Sequence, residues 1–121
     1  MVVKLAVALT IAVLAGAAVL ILWDPCVRPQ ITVVNASEGT ITDLAISGVG
    51  FDEALGALAP GESAAKSVEC GAESGLKVSF EAHGFPHSAD DLAYIESCGG
   101  YRVRLTVQKD YSVAVVADHV Y

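Results

Sequence analysis

The sequence predicts an all-β chain: a small antiparallel β-sandwich of about seven strands, preceded by one N-terminal transmembrane helix. Three observations carry this reading. Residues 5–23 hold no charge and a single polar side chain, Thr10, whereas the remainder of the chain is polar, acidic and rich in turns. Beyond residue 24, short runs of alternating apolar and polar residues recur between Gly-, Pro-, Asn- and Asp-containing turns. No stretch of that region sustains a helical apolar period. The 121 residues suit one domain and an anchor, divided as an anchor over 1–24, a Pro-containing spacer over 25–29 and a domain over 30–121.

Residues 5–23 would run about 28 Å as a helix, the thickness of a bilayer's hydrocarbon layer. Lys4 precedes the run, Asp24-Pro25 ends it, and Trp23 stands where an interfacial aromatic belongs. The positive-inside rule then puts the N-terminus inside and the C-terminal domain in the periplasm or outside, as a single-pass protein of the inner (cytoplasmic) membrane. An uncleaved signal-anchor is expected. Cleavage near Ala15-Gly16-Ala17 would leave the apolar Val19-Leu20-Ile21-Leu22-Trp23 on the mature protein, where a polar start is usual. Trp23-Asp24-Pro25 before Cys26 does not resemble a lipid-attachment site. Ala8, Ala12 and Gly16 recur every four residues, which would give the helix a smooth stripe.

Within the domain, residues 30–35 form a first strand, residues 35–39 a turn, and residues 40–47 a second strand with Thr42, Leu44 and Ile46 on one face and Asp43 on the other. These two runs are expected to pair as a hairpin. Residues 51–58 are ambiguous: Phe51, Leu55 and Leu58 have helical spacing, but Gly56 favours an irregular strand or one loose turn. Ala59-Pro60-Gly61-Glu62 is a strong turn, because Pro presets one dihedral and Gly supplies a positive φ. Residues 63–70 alternate, with Ala64, Lys66, Val68 and Cys70 on one side. Residues 76–83 are the clearest strand, with Leu76, Val78, Phe80 and Ala82 inward. Residues 84–91 read as a loop and residues 92–97 as a short strand. Residues 101–117 form a closing hairpin. A three-residue loop, Gln108-Lys109-Asp110, pairs Val107 with Tyr111, Leu105 with Val113 and Val103 with Val115, and collects the apolar residues on one face. Asp110 is expected to take the left-handed conformation of that loop.

Three cysteines lie in the outer region, Cys26, Cys70 and Cys98. An oxidising compartment favours disulfides. Cys70 and Cys98 each end a strand beside a Gly-rich turn and are expected to be bridged; Cys26 is left unpaired, intermolecular, or paired with one of the other two. Asp90-Asp91-Leu92-Ala93-Tyr94 resembles the segment of immunoglobulin domains that leads into their second cysteine, and the resemblance implies an immunoglobulin-like architecture. Tyr94 and Cys98 are four apart where that family spaces them by two, and no Trp lies between Cys70 and Cys98, so no functional residue carries over.

All 14 acidic residues lie from Asp24 onward with six of the seven basic ones, a net charge of −8 for that part. This argues against nucleic acid and anionic headgroups as partners and fits solubility or a basic protein partner. No catalytic motif stands out and no cofactor is expected; the chain is expected not to be an enzyme. His83, His87, Asp90 and Asp91 are weak candidates for a zinc or copper site, within a segment otherwise expected to be a solvated loop. Asn35-Ala36-Ser37 matches a glycosylation acceptor. Arg102 and Arg104 face outward on the last hairpin and mark a possible interface. The expected role is a membrane-anchored, extracytoplasmic binding or accessory module of an envelope protein complex. The alternatives are a periplasmic inhibitor or immunity protein and, more weakly, a metal-binding protein.

Overall fold

The computed structural model describes residues 26–119 and arranges ten strands in three sheets. The expected anchor over 1–24 lies outside the described residues; among those described, no helix is long and apolar enough to cross a membrane. The strands are β1 (Gln30–Asn35), β2 (Ile41–Gly48), β3 (Phe51–Leu58), β4 (Ser63–Ser67), β5 (Ser74–Gly75), β6 (Lys77–Ala82), β7 (Phe85–Ala89), β8 (Tyr94–Ile95), β9 (Tyr101–Val107) and β10 (Val113–His119). One four-stranded sheet has the order β10-β9-β1-β4 and the other β3-β2-β6-β7, while β5 and β8 make a small ladder. Ile31 and Val33 of β1 and Val103, Leu105 and Val107 of β9 share one buried cluster with Ile41, Leu44 and Ile46 of β2 and Val78, Phe80 and Ala82 of β6. Alternate residues of each sheet thus fill the core, as a sandwich requires.

The fold class is all-β and sandwich-like, with three corrections. Ten short strands replace the expected seven or so, and the pairing is not wholly antiparallel: β1 runs parallel to β9, Ile31 beside Val103 and Val33 beside Leu105. The expected hairpin of the first two strands does not form either, because β1 and β2 belong to different sheets. The chain crosses between sheets at residues 36–40 and again at residues 59–62. Tyr94, the residue behind the immunoglobulin resemblance, lies in the small ladder opposite Gly75.

Asn35 sits where these two crossings meet. Its side chain is fully buried, donating to the carbonyls of Gly39 and Leu58 at 2.9 Å and accepting from the N–H of Ser37 at 3.0 Å and its hydroxyl at 2.6 Å. Its backbone N–H donates to Glu62 O, and its carbonyl accepts from Gly61 N. An amide so enclosed is not an exposed acceptor, so the glycosylation reading of Asn35-Ala36-Ser37 is set aside. The turn at Pro60-Gly61 is as expected, with Gly61 at φ 83° and Glu62 N bonded to Ala59 O at 3.0 Å.

Local irregularities redirect several faces. Asp43 adopts φ 49°, and the β2 register shifts there. Ile41 therefore points inward with Leu44 and Ile46, and Thr42 is exposed rather than sharing their face. His83 and Gly84 take φ 52° and 77° and make a two-residue turn between β6 and β7. Two successive positive-φ residues match the twist of a tight hairpin. The segment expected as a loop is thus an edge strand, and Pro86 within it costs no ladder bond on its open side. The closing hairpin keeps its expected faces but pairs Val107 with Val113, Leu105 with Val115 and Val103 with Ala117. The loop is longer, over residues 108–112, and Tyr111 rather than Asp110 is left-handed, at φ 64°. The difference from the expected register is two residues, an even slip, which preserves the buried face. Asp110 Oδ1 instead accepts from the Ser112 hydroxyl at 2.6 Å and the Ser112 N–H at 3.1 Å, which holds its carboxyl below the ordinary range.

The disulfide joins Cys26 to Cys98, not Cys70 to Cys98. The parallel alignment of β1 and β9 brings both segments that precede them to one end, where Val27 bridges Gly99 and Gly100 N donates to Val27 O at 2.9 Å. Cys70 is a free thiol buried in the core, and burial pushes its pKa up. The bridge spans 72 residues of sequence, a loop for which the chain-entropy estimate is about 4 kcal/mol.

Replacing Asn35 by Ala takes the side-chain partner from the Leu58 carbonyl and the Ser37 N–H, while the Ser37 hydroxyl keeps Gly39 O at 2.9 Å, and is expected to cost about 3 kcal/mol, read by urea unfolding. Peptide mapping without reduction is expected to recover Cys26 linked to Cys98. Cys70 is expected to take up maleimide only after unfolding, since its thiol is both covered and protonated.

Candidate interaction face

The outer surface of the β10-β9-β1-β4 sheet collects the outward residues in rows. The register sets Asp118, Arg102, Gln30 and Ser67 side by side, then Val116, Arg104, Thr32 and Ala65, then Ala114, Thr106, Val34 and Ser63. Arg102 and Arg104 are exposed, as the sequence indicated, because β9 sends Val103, Leu105 and Val107 into the core. Three of these twelve positions are charged, and two of those three are positive, in a domain that is otherwise strongly acidic. Gln30, Thr32, both arginines, Val116 and Asp118 line a shallow depression of about 250 Å³. Ion pairs join Arg28 to Glu69, Lys66 to Glu53 and Lys109 to Glu38; among the described residues neither Arg102 nor Arg104 forms one.

The edge beside the arginines is open. Unpaired strand edges are usually guarded by Pro, bulges or charge. β7 has Pro86, β3 has register shifts and the carboxylates of Asp52 and Glu53, and β4 has Lys66. β10 has no such guard from Val113 to Ala117, and Val116 is 67 % exposed. The sequence signal was present: Val113-Ala114-Val115-Val116-Ala117 is five apolar residues in succession, where a strand with one buried face needs only every second one.

The four metal candidates are not brought together. His87 stacks on Phe80 with ring centroids 5.2 Å apart, and its ring lies 5.0 Å from that of Tyr111. His83 meets Tyr111 from another side at 5.8 Å. The two histidines thus flank one tyrosine at the Asn35 end of the sandwich. Asp90 and Asp91 follow β7 toward the opposite end, where Asp91 approaches Gly75. Among the described residues, no group of three or more His, Cys, Asp or Glu is placed to hold a metal ion. Half-buried His87 packs between Phe80 and the loop before β10, while His83 stays exposed and meets Tyr111 edge-on. Neither Tyr111 nor this packing was legible from spacing, because the contacts cross between sheets.

A packing role makes a prediction that ligation does not. His87→Ala is expected to lower stability by about 1 kcal/mol in thermal unfolding without added metal. On the outer face, Val116→Lys should change stability by no more than about 0.5 kcal/mol. Leu105→Ala, next to Arg104 but buried, should cost about 3 kcal/mol.

No family model matches the chain, and no curated protein matches it. Among solved structures, the chain is similar to an NMR structure of a protein from Eubacterium rectale, at 15 % identity and a TM-score of 0.54. The match covers 80 % of this chain and 94 % of that one. At that identity the likeness is one of fold.

Proposed function

We propose that the chain is a membrane-anchored, extracytoplasmic and non-catalytic binding module, an accessory part of an envelope protein complex. The apolar run over residues 5–23 supplies the anchor, and the Cys26–Cys98 bridge suits an oxidising compartment outside the cytoplasm. The observation that carries the binding role is the outer face of the β10-β9-β1-β4 sheet. It displays two arginines that pair with no carboxylate among the described residues, beside an unguarded edge strand. Strand addition along β10 would give main-chain hydrogen bonds, and the arginines would select carboxylates or carbonyls on the partner's exposed side.

The net charge of −8 from Asp24 onward supports a second reading, an inhibitor or immunity protein steered onto a basic toxin or cell-wall hydrolase. The two readings use different surfaces. Affinity capture from detergent-solubilised membranes is expected to recover stable membrane-complex subunits, and Arg102→Ala with Arg104→Ala is expected to lose them. Recovery of one basic secreted protein, retained by the double variant, would favour the inhibitor; recovery of neither overturns both.

A further inference from the structure

The end of the sandwich that carries Cys26 has a surface unlike the rest. Among the described residues five large hydrophobic side chains are exposed: Val27, Val49, Phe85, Tyr94 and Val116. Three of them, Val27, Val49 and Tyr94, lie at the Cys26 end. Val49 occupies the β2–β3 turn and donates its N–H to Ser74 Oγ at 2.7 Å, and the next residue, Gly75, pairs with Tyr94. Val27 bridges Gly99, five residues beyond Tyr94. Glycines make this rim low. A side chain at Gly50 would strike the backbone of Gly71, so the β2–β3 turn lies flat on the neighbouring segment.

The same end receives the chain from the apolar run. Trp23, the last residue of that run, is three residues before Cys26, a reach of about 10 Å when fully extended. No free stem intervenes beyond this point, because Cys26 is bonded to Cys98 and Val27 is held against Gly99. The Cys26 end of the domain is therefore held within about 10 Å of the end of the apolar run.

We propose that the Cys26 end of the sandwich rests on the bilayer interface, with Val27, Val49 and Tyr94 as the contacts. The proposal depends on the anchoring reading and adds an orientation to it. A tyrosine with an apolar ring and a polar tip suits the headgroup level. Hydrogen bonding to Glu73, with Glu96 at 3.2 Å from the Tyr94 hydroxyl, raises the phenol's pKa. These carboxylates make zwitterionic headgroups the fitting surface and anionic ones unfavourable.

The test uses the full chain in phosphatidylcholine vesicles with brominated acyl chains. Trp23→Phe removes the native indole, and Val49→Trp or Tyr94→Trp then reports from the Cys26 end, with Lys109→Trp reporting from the Asn35 end. Both positions at the Cys26 end are exposed, so the two variants are independent checks that folding survives. The expected result is loss of most emission, with a blue shift, for Val49→Trp and Tyr94→Trp, and unchanged emission for Lys109→Trp. Co-flotation with the vesicles reads the anchor separately. A chain that floats while Val49→Trp and Tyr94→Trp stay unquenched overturns the docking and leaves the anchor standing. A chain that does not float overturns both.

Discussion

The buried Asn35 amide is the interaction on which the two sheets depend. A sandwich can pack its apolar faces in many relative positions, since burial is non-directional. Hydrogen bonds from one side chain to Gly39, Leu58 and Ser37 are directional, and they are made where water cannot substitute. They fix the crossing from β1 to β2 against the crossing from β3 to β4. Once these corners are set, β1 can lie between β4 and β9, and the parallel pair with β9 brings Cys26 to Cys98. The disulfide is thus downstream of the topology; it locks an arrangement that the Asn35 corner selects.

In regular strands the residues alone reveal which side chains are inside. The alternations in β6 and β9 gave their buried faces correctly, because burial acts on each strand separately and leaves a period of two. Neighbour relations were far less legible. Periodicity is silent about whether a turn folds a strand back in its own sheet or carries it across, so residues 36–40 read as a hairpin turn. The bulge at Asp43 was hidden because a non-glycine residue at positive φ leaves no mark in composition. The His83-Gly84 turn did leave one, since a Gly beside a polar residue between alternating runs is a hairpin signal. Pro86 and His87 masked it.

The cysteine pairing failed for a related reason. Cys70 and Cys98 each close a strand-like run of the sequence, but the strands themselves stop earlier, at Ser67 and Ile95, and such run ends occur at both ends of a sandwich and in both sheets. Cys70 continues an alternating run in which Val68 is also buried, so its thiol belongs to the core. Of the candidate site, the outward position of Arg102 and Arg104 was legible from β9 alone. The rows around them, with Gln30 and Thr32 from a strand some seventy residues earlier, required the parallel register. Their importance comes from that setting, because the acidic residues of the domain lie mostly on other surfaces.

The direction of β10 has a consequence for self-association. It runs from the Asn35 end down to the Cys26 end, where His119 lies opposite Tyr101. Identical edge strands join most readily in two-fold antiparallel fashion, which points the two molecules in opposite directions. On the proposed anchoring, neighbouring copies in one membrane all stand the same way up, and that pairing is closed to them. A shared floor then does for β10 what Pro86 does for β7. It protects an open edge from the protein's own copies while leaving it accessible to a strand from a different molecule.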